Sequence, residues 1–347
     1  MAVFGKPQVL FLHVGHDKTG STALQQSFSA SRSFMGQQSV VYPAMGDDAR
    51  LVNMDEMVPC GNARHLLSSE DTLAETLGSL SVEKSNVLFS SELVFEALVK
   101  QEDLGFLSKA AEVAGFSEVR ILLFIRDPLP HAVSVWQQRV KGWQGESSTL
   151  DQWMAERYDT PLKVCRLIKA AARSSEIKLS ILRYETVRHD LHGAVEQWVG
   201  LRAGSLVRQA TRVNRSLTGS EVALQRILNE KIGPSGKMFA FRLVSRLPDL
   251  PADPPRASSQ AQMHCLKRLA PVLDELNAHL PEEHRYSRTL LPAREGEICH
   301  KFTSEQLEII AEGIAVHNRA DTKANRADTN VSWPRRIFEA LGFRLFL

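Results

Sequence analysis

Hydrophobic and polar positions follow two alternating patterns along the first 200 residues. Short apolar runs, rich in β-branched or aromatic residues and followed by turn or capping residues, are typical of buried strands. These runs are Gln8–Val14, Val40–Tyr42, Asn86–Phe89, Arg120–Ile125 and Lys178–Leu182. Between them, helical spacing of apolar residues occurs in Ser21–Phe34, Asn62–Leu80, Gln101–Gly115, Pro130–Lys141, Thr160–Ser174 and Val187–Val199. The alternation predicts an α/β fold with a mostly parallel sheet flanked by helices.

The pattern changes at about Leu201, after which helical spacing dominates. Helices are predicted over Gly219–Lys231, Ser259–His279 and Thr303–Asn318, with an irregular Pro-rich loop over Leu247–Ser259. We therefore predict an α/β core in residues 1–200 and a helical extension in residues 201–347. The extension is expected to pack on the core as part of one overall domain and to help complete the cofactor and acceptor sites.

Composition and charge narrow the class of protein. The chain has 347 residues, of which 43% are hydrophobic and 24% charged, with a net charge of +2. Such a balance gives no general basic field for nucleic acid. No apolar run approaches the roughly 20 residues of a membrane helix, so the cytoplasm is the expected location. The widely spaced cysteines predict reduced thiols and no metal site: Cys60, Cys165, Cys265 and Cys299.

A glycine-rich loop, GHDKTGST (Gly15–Thr22), directly follows the first predicted strand. Gly15 and Gly20 allow the backbone to turn tightly and to approach a ligand closely. The next helix would point its N-terminus at the same anion, and Lys18 adds positive charge. A polar turn that only caps the helix is the alternative. The combination favours a phosphate-binding loop and hence a sheet of the P-loop type.

The position of the lysine indicates which phosphate ligand fits. In the nucleoside-triphosphate loop, G-x-x-x-x-G-K-[ST], the lysine follows the second glycine. Here Ser21 follows Gly20, and Lys18 precedes it. The segment KTGST resembles the 5′-phosphosulfate loop of sulfotransferases that use 3′-phosphoadenosine 5′-phosphosulfate (PAPS). The resemblance implies that the donor is bound by Gly15, His16, Lys18, Thr19, Gly20, Ser21 and Thr22.

A second motif, ILLFIRDPLPHAVSVW, resembles the 3′-phosphate motif of the same family. Arg126 stands at a strand end, and Ser134 lies eight residues later on the following helix. A guanidinium group can make a bidentate contact with a phosphate, and Ser134 lies about two helical turns away. The alternatives are an ion pair of Arg126 with Asp127 or another carboxylate, and packing of Ser134 on the sheet.

Two further segments resemble the family less closely. LSILRYETV matches a strand-to-helix segment with a Tyr-Glu pair, which implies that Tyr184 contacts the adenine. An ordinary aromatic residue at a strand end is the alternative. RVNRSLTGSE resembles a segment of bacterial members, so Arg215 is expected to face the cofactor, together with Asn214 and Ser216.

The resemblance implies metal-independent, in-line transfer of a sulfuryl group from PAPS to an acceptor hydroxyl or amine. Lys18 would stabilise charge on the leaving oxygen, and a carboxylate or histidine would accept the acceptor proton. Glu92, after the strand NVLFSS, is the first candidate for this base, followed by His65 and then His16. Family members use either a histidine or a glutamate as base. An acidic residue in a first helical turn is the alternative for Glu92.

The family resemblance also implies the class of the acceptor. Similarity to bacterial members implies a saccharide or glycolipid, for which Tyr42–Ala63 and Gly142–Leu150, with Trp143, are candidate contact segments. The tail Trp333–Leu347 alternates arginines with apolar residues, which suits either peripheral membrane contact or docking on its own domain. The rival functions are a nucleotide-dependent kinase with a variant loop and a non-catalytic nucleotide-binding protein.

Overall fold

The computed structural model describes residues 8–44, 61–63, 65–80, 85–142, 144–208, 215–233, 237–251, 253–293 and 301–324. Within them a five-stranded, all-parallel sheet has the order β2-β3-β1-β4-β5. The strands are β1 (Gln8–His13), β2 (Val40–Val41), β3 (Asn86–Ser90), β4 (Phe116–Ile125) and β5 (Ile177–Arg183). The predicted α/β class is therefore confirmed.

Helices connect and follow these strands. Before β5 they are α1 (Ser21–Ala30), α2 (Arg32–Gly36), α3 (Glu70–Leu80), α4 (Glu92–Leu98), α5 (Gly105–Val113), α6 (Pro128–Lys141), α7 (Leu150–Glu156) and α8 (Thr160–Ala172). After β5 they are α9 (Tyr184–Val187), α10 (Leu191–Val199), α11 (Gly219–Ile232), α12 (Lys237–Arg246), α13 (Ser259–His279) and α14 (Ser304–Ala324), with a 3₁₀ turn at Glu282–His284. In the part of the chain that the structure describes, no helix is long and apolar enough to cross a membrane.

Strand β4 is longer than its apolar pattern predicts. Ser117 and Glu118 interrupt the pattern, yet the strand begins at Phe116 and pairs with β1 through Gln8 and Val9, with a register shift between these two residues. Backbone pairing thus extends the strand into a polar stretch that hydropathy alone does not mark.

Several predicted helices are shorter in the structure or divided in two. The helix predicted over Ser21–Phe34 is divided at Ser31, whose hydroxyl accepts a hydrogen bond from the amide of Val207 at 2.8 Å. The helix predicted over Asn62–Leu80 begins only at Glu70, and the described residues 61–63 and 65–69 form turns and irregular structure in which the Asn62 side chain makes buried hydrogen bonds. It donates to the carbonyls of Pro43 and Leu88 and accepts from the amide of Ser90.

The chain forms two compact units that interleave in sequence. The first contains the described parts of Met1–Pro128, Asp159–Ala210 and Leu269–Arg288, and the second those of Leu129–Tyr158, Thr211–Arg268 and Thr289–Leu347. This division differs from a single boundary near residue 200. The first unit holds the sheet and a core in which β1, α1, β4 and α10 bury Phe11, Leu24, Phe28, Phe124 and Val195.

The second unit has its own apolar cluster. Helices α11, α12 and α14 bury Leu224, Leu228, Phe239, Leu243, Ile309 and Ile310 together. Helix α11 begins with a capping box, in which Thr218 and Glu221 satisfy each other's backbone amides.

Candidate functional site

The direction in which strands are added to the sheet reverses between the neighbouring strands β1 and β4. After β1 the chain continues to β2, towards one edge of the sheet, and after β4 it continues to β5, at the other edge. Ligands of open parallel sheets bind at such a switch point. Here Arg126, which follows β4, donates from Nη1 to the carbonyl oxygen of Lys18, in the loop after β1, at 3.2 Å.

Hydrogen bonds also join the carboxyl ends of β1 and β3. His13 Nδ1 and Ser90 Oγ share a hydrogen bond of 2.8 Å, and the amide of Ser91 donates to the carbonyl of His13 at 3.1 Å. Burial lowers the pKa of His13 to about 4, so its ring is neutral at physiological pH. These contacts bring the loop after β1 next to the first turn of α4.

The loop after β1 has the backbone form of an anion-binding nest. Lys18 has φ 66° and Gly20 φ 87°, both in the left-handed region. Gly20 is the N-cap of α1 and provides no side-chain cap for the first turn. Thr19 Oγ1 donates to the carbonyl of His16 at 2.6 Å and stabilises the turn. The uncapped amides at the start of α1 can therefore bind an anion.

Ser21 adds a buried hydroxyl to this nest. This residue is 2% exposed, and its Oγ lies near the Glu92 carboxylate, where it acts to lower the pKa of that group, but it forms no regular hydrogen bond with the residues described. A Cβ atom added at Gly15 would lie 2.4 Å from this oxygen, so a larger residue at position 15 would displace the Ser21 side chain. A buried hydroxyl of this kind normally has a partner, and a ligand oxygen at the helix N-terminus would provide one. Thr22, the next residue of α1, is half-buried.

Lys18 and Glu92 lie together at this edge of the sheet. Glu92 is the first residue of α4, and Ser91 caps that helix by accepting from the amide of Leu93 at 3.2 Å. Burial, and then the charge of Asp17, raise the pKa of Glu92 to about 7, while Lys18 and Ser21 act in the opposite direction. Burial lowers the pKa of Lys18, which Glu92 and Asp17 partly offset. A carboxylate with a pKa near 7 suits a general base.

The two histidine candidates lie in different surroundings. His16 is buried, its ring centroid is 5.8 Å from that of Phe95, and burial is the main cause that lowers its pKa to about 3. Such a weakly basic ring is a poor proton acceptor. His65 is exposed, in a turn where its carbonyl accepts hydrogen bonds from Ser68. The contacts that the structure describes do not join the His65 side chain to Lys18 or Glu92.

Arg126 and Tyr184 approach the loop from the other side. The guanidinium carbon of Arg126 lies 5.5 Å from the ring centroid of Tyr184, which is within cation–π range. A Cβ atom added at Gly20 would lie 3.7 Å from Tyr184 Cε2 and 2.6 Å from Leu191 Cδ2. Tyr184 therefore lies beside the glycine loop, where an adenine contact was predicted.

The carboxylate that pairs with Arg126 is Glu185, not Asp127. Arg126 Nε lies 3.5 Å from Glu185 Oε1, whereas Asp127 Oδ2 accepts from Arg183 Nη2 at 2.7 Å. Arg183 and Glu185 were not among the predicted site residues. Their signal was the triplet Arg183-Tyr184-Glu185 at a strand end, which places opposite charges on both sides of the predicted adenine contact.

Two predicted cofactor residues belong to the second unit. Ser134 is half-buried on α6. Arg215 is 3% exposed and uses all its side-chain donors within that unit. They bind Glu221 and the carbonyls of Ser216, Leu243 and Leu247. This geometry gives Arg215 a structural role, and it corrects the expectation that the guanidinium group faces a cofactor.

Several predicted acceptor elements lie outside the described residues. They are most of Tyr42–Ala63, Trp143 and the tail Trp333–Leu347, and Asn214, which was predicted to face the cofactor, also lies outside them.

Comparison with known proteins adds no family assignment. No family model matches the chain, and no curated protein matches it. Functional inference therefore depends on the arrangement of the site residues and on the resemblance of the short motifs.

Proposed function

We propose that the protein is an enzyme that transfers an activated anionic group from a nucleotide. Within this class, the best-supported activity is that of a PAPS-dependent sulfotransferase. The observation that carries the proposal is the proximity of Lys18 and Glu92 beside the glycine loop. In this position the pKa of Glu92 is raised to about 7.

The residues of the site fit a nucleotide phosphosulfate. The 5′ end would be held by the amides from Lys18 to Thr22, by the buried Ser21 hydroxyl and by the Lys18 ammonium group. Arg126 would bind the 3′-phosphate, and Tyr184 would lie against the base. The strand order, with the glycine loop after the central strand, supports a sheet of the P-loop type.

The chemistry assigns distinct roles to Glu92 and Lys18. PAPS supplies an activated sulfuryl group. Glu92 takes the proton of the acceptor hydroxyl as its oxygen bonds to sulfur, and the sulfur–oxygen bond to the nucleotide phosphate breaks. The electron pair of that bond stays on the phosphate oxygen, where Lys18 stabilises the charge.

The proposal extends to the acceptor and to the location. A saccharide or glycolipid acceptor and a cytoplasmic site of action are inferred from the sequence resemblance and from composition. The helices from Gly219 onwards support a mainly helical final third.

Calorimetric titration tests the donor. Adenosine 3′,5′-bisphosphate, ATP and ATP with Mg²⁺ would be titrated separately into the full chain, followed by sulfate transfer from PAPS to a panel of saccharides. We expect metal-independent binding of the bisphosphate and transfer to at least one saccharide. Preferential binding of ATP with Mg²⁺ would instead support the variant kinase. Bisphosphate binding without transfer to any acceptor would favour the non-catalytic nucleotide-binding protein.

Glu92→Gln provides the matched variant for the chemical step. It is isosteric with the protonated acid, so it should abolish turnover and leave bisphosphate affinity unchanged. Retained turnover would overturn the assignment of Glu92 and move it to His65.

A further inference from the structure

The carboxylate of Glu185 lies between two arginines at the ends of β4 and β5. Its Oε1 is 3.5 Å from Arg126 Nε, and its Oε2 is 3.8 Å from Arg183 Nε. The amide of Asp127 donates to the same Oε2 at 3.3 Å. Glu185 thus contacts both guanidinium groups, at distances longer than those of charge-assisted hydrogen bonds.

Arg183 is held firmly in this position. It is the last residue of β5 and pairs in register with Ile125, the residue before Arg126. Its Nη2 donates to Asp127 Oδ2 at 2.7 Å, and its amide donates to His284 Nδ1 at 3.3 Å. Both arginine side chains are 23% exposed, so each retains an open side.

Three buried donors near this carboxylate have no hydrogen-bond partner in the described ranges. They are Nε of Arg126, Nε of Arg183 and the hydroxyl of Tyr286. Tyr286 is 5% exposed, and burial together with the charges of Asp127 and Glu185 raises its pKa. Buried donors are rarely left unsatisfied in native proteins. The cluster is therefore suited to an anion with more acceptor oxygens than one carboxylate offers.

We propose that Arg183 joins Arg126 in binding the second phosphate of a nucleoside 3′,5′-bisphosphate, and that Glu185 keeps the two guanidinium groups in place until that phosphate arrives. The inference rests on the proposed function, and it adds a residue that determines specificity. A phosphate presents three terminal oxygens, which two forked guanidinium groups can bind together.

The charge balance of the cluster permits this exchange. Arg126 and Arg183 face Asp127 and Glu185, and burial together with the charge of Asp127 raises the pKa of Glu185. Asp127 is held by Arg183 and by the amide of Ser287 at 2.9 Å. Asp127 therefore fixes Arg183, whereas Glu185 carries the more easily neutralised charge.

Selectivity between two nucleotides distinguishes binding from a purely structural role of Arg183. Adenosine 3′,5′-bisphosphate and AMP differ only at the 3′ position. For Arg183→Ala we expect a loss of at least about tenfold in bisphosphate affinity, and less than about twofold for AMP, measured by calorimetry. Arg188→Ala, an exposed arginine in the same segment, is the matched control and should bind both nucleotides like the wild type.

The outcomes separate the two proposals. Equal losses for both nucleotides, or no loss, would overturn the role of Arg183 and leave the donor assignment standing. A wild-type protein without preference for the bisphosphate would overturn both. Thermal unfolding of each variant checks its fold. If Arg183→Ala does not fold, Arg183→Lys carries the test, because it keeps the charge but loses the forked donors. The lysine variant should lose bisphosphate preference, and an unchanged ratio of affinities would overturn the proposal.

Discussion

Arg126 Nη1 donates to the carbonyl oxygen of Lys18 at 3.2 Å, across 108 residues of chain. The contact spans the switch point of the sheet and fixes one peptide of the glycine loop from the neighbouring strand. The same guanidinium group stacks near Tyr184 and faces Glu185. Arg126 thus links the loop, the predicted adenine contact and the cluster at the end of β5.

Arg126→Lys should weaken bisphosphate binding by about 10- to 100-fold, because one ammonium group cannot replace the forked contacts of a guanidinium group. Calorimetric titration of adenosine 3′,5′-bisphosphate measures the loss. Arg120→Lys, within the strand that precedes Arg126, is the control, since Arg120 pairs with Glu118 and not with the loop. Affinity equal to that of the wild type would show that Arg126 does not contact the nucleotide.

Lys18 occupies a backbone conformation that favours glycine. Its φ of 66° costs a residue with a Cβ roughly 1 kcal/mol. Lys18→Gly and Lys18→Ala both remove the ammonium group, so both should lose sulfate transfer. In urea unfolding, however, the glycine variant should be more stable than the alanine variant by roughly 0.5–1 kcal/mol. The reverse order of stability would contradict the strained conformation.

The raised pKa of Glu92 predicts how activity depends on pH. Since the deprotonated carboxylate is the base, the rate should increase tenfold per pH unit below about 7 and become constant above it. The dependence of kcat/KM on pH tests this expectation. A profile that stays flat from pH 5 to 8 would exclude Glu92 as the titrating base.

The raised pKa of Glu92 also predicts how its charge affects stability. Ionisation of a carboxylate in an ordinary ion pair stabilises the fold, whereas ionisation of Glu92 should destabilise it. The folded-state pKa is raised to about 7, so ionisation of Glu92 destabilises the fold as the pH rises from the unfolded-state value to that point. At pH 8, Glu92→Gln should therefore be more stable than the wild type. The free energy of unfolding, measured with urea, should be higher by up to about 3 kcal/mol. At pH 4 both should be equal. Glu96→Gln, one turn later and exposed, is the control.

The buried pair of Arg215 and Glu221 should matter for stability and not for ligand binding. Their side chains are 2% and 0% exposed, and they form two hydrogen bonds. Arg215→Ala would leave an unpaired buried carboxylate and should lower the free energy of unfolding by about 3–5 kcal/mol. Binding of adenosine 3′,5′-bisphosphate to the folded fraction should not change. A selective loss of that binding would restore Arg215 as a cofactor residue.

Local sequence patterns predict the sheet well because each strand is a buried apolar run. The predicted strand at Asn86–Phe89 differs from β3 by one residue, and the helix predicted over Ser259–His279 has the same bounds as α13. Lys18, Glu92, Arg126 and Tyr184 share an edge because each follows a parallel strand. Nothing local predicts the interleaving of the two units, since it depends on contacts between distant segments.

The missed site residues have distant partners. Arg183 pairs with Asp127 and Glu185 accepts from the Asp127 amide, 56 and 58 residues away. The assignment of Arg215 to the cofactor rests on the resemblance of RVNRSLTGSE to a segment of bacterial members, and that resemblance does not reveal Glu221 as the buried counter-charge of Arg215.

The central position of β1 has a consequence for biosynthesis. The strand is translated before β3 and β4, yet its His13 pairs with Ser90 of β3 and Leu122 of β4. Contacts between such distant segments form slowly and leave the unpaired strand exposed in the meantime. The glycine loop therefore acquires its binding shape only after β4 has been translated, and a ribosome stalled before that point carries an apolar strand that chaperones can bind.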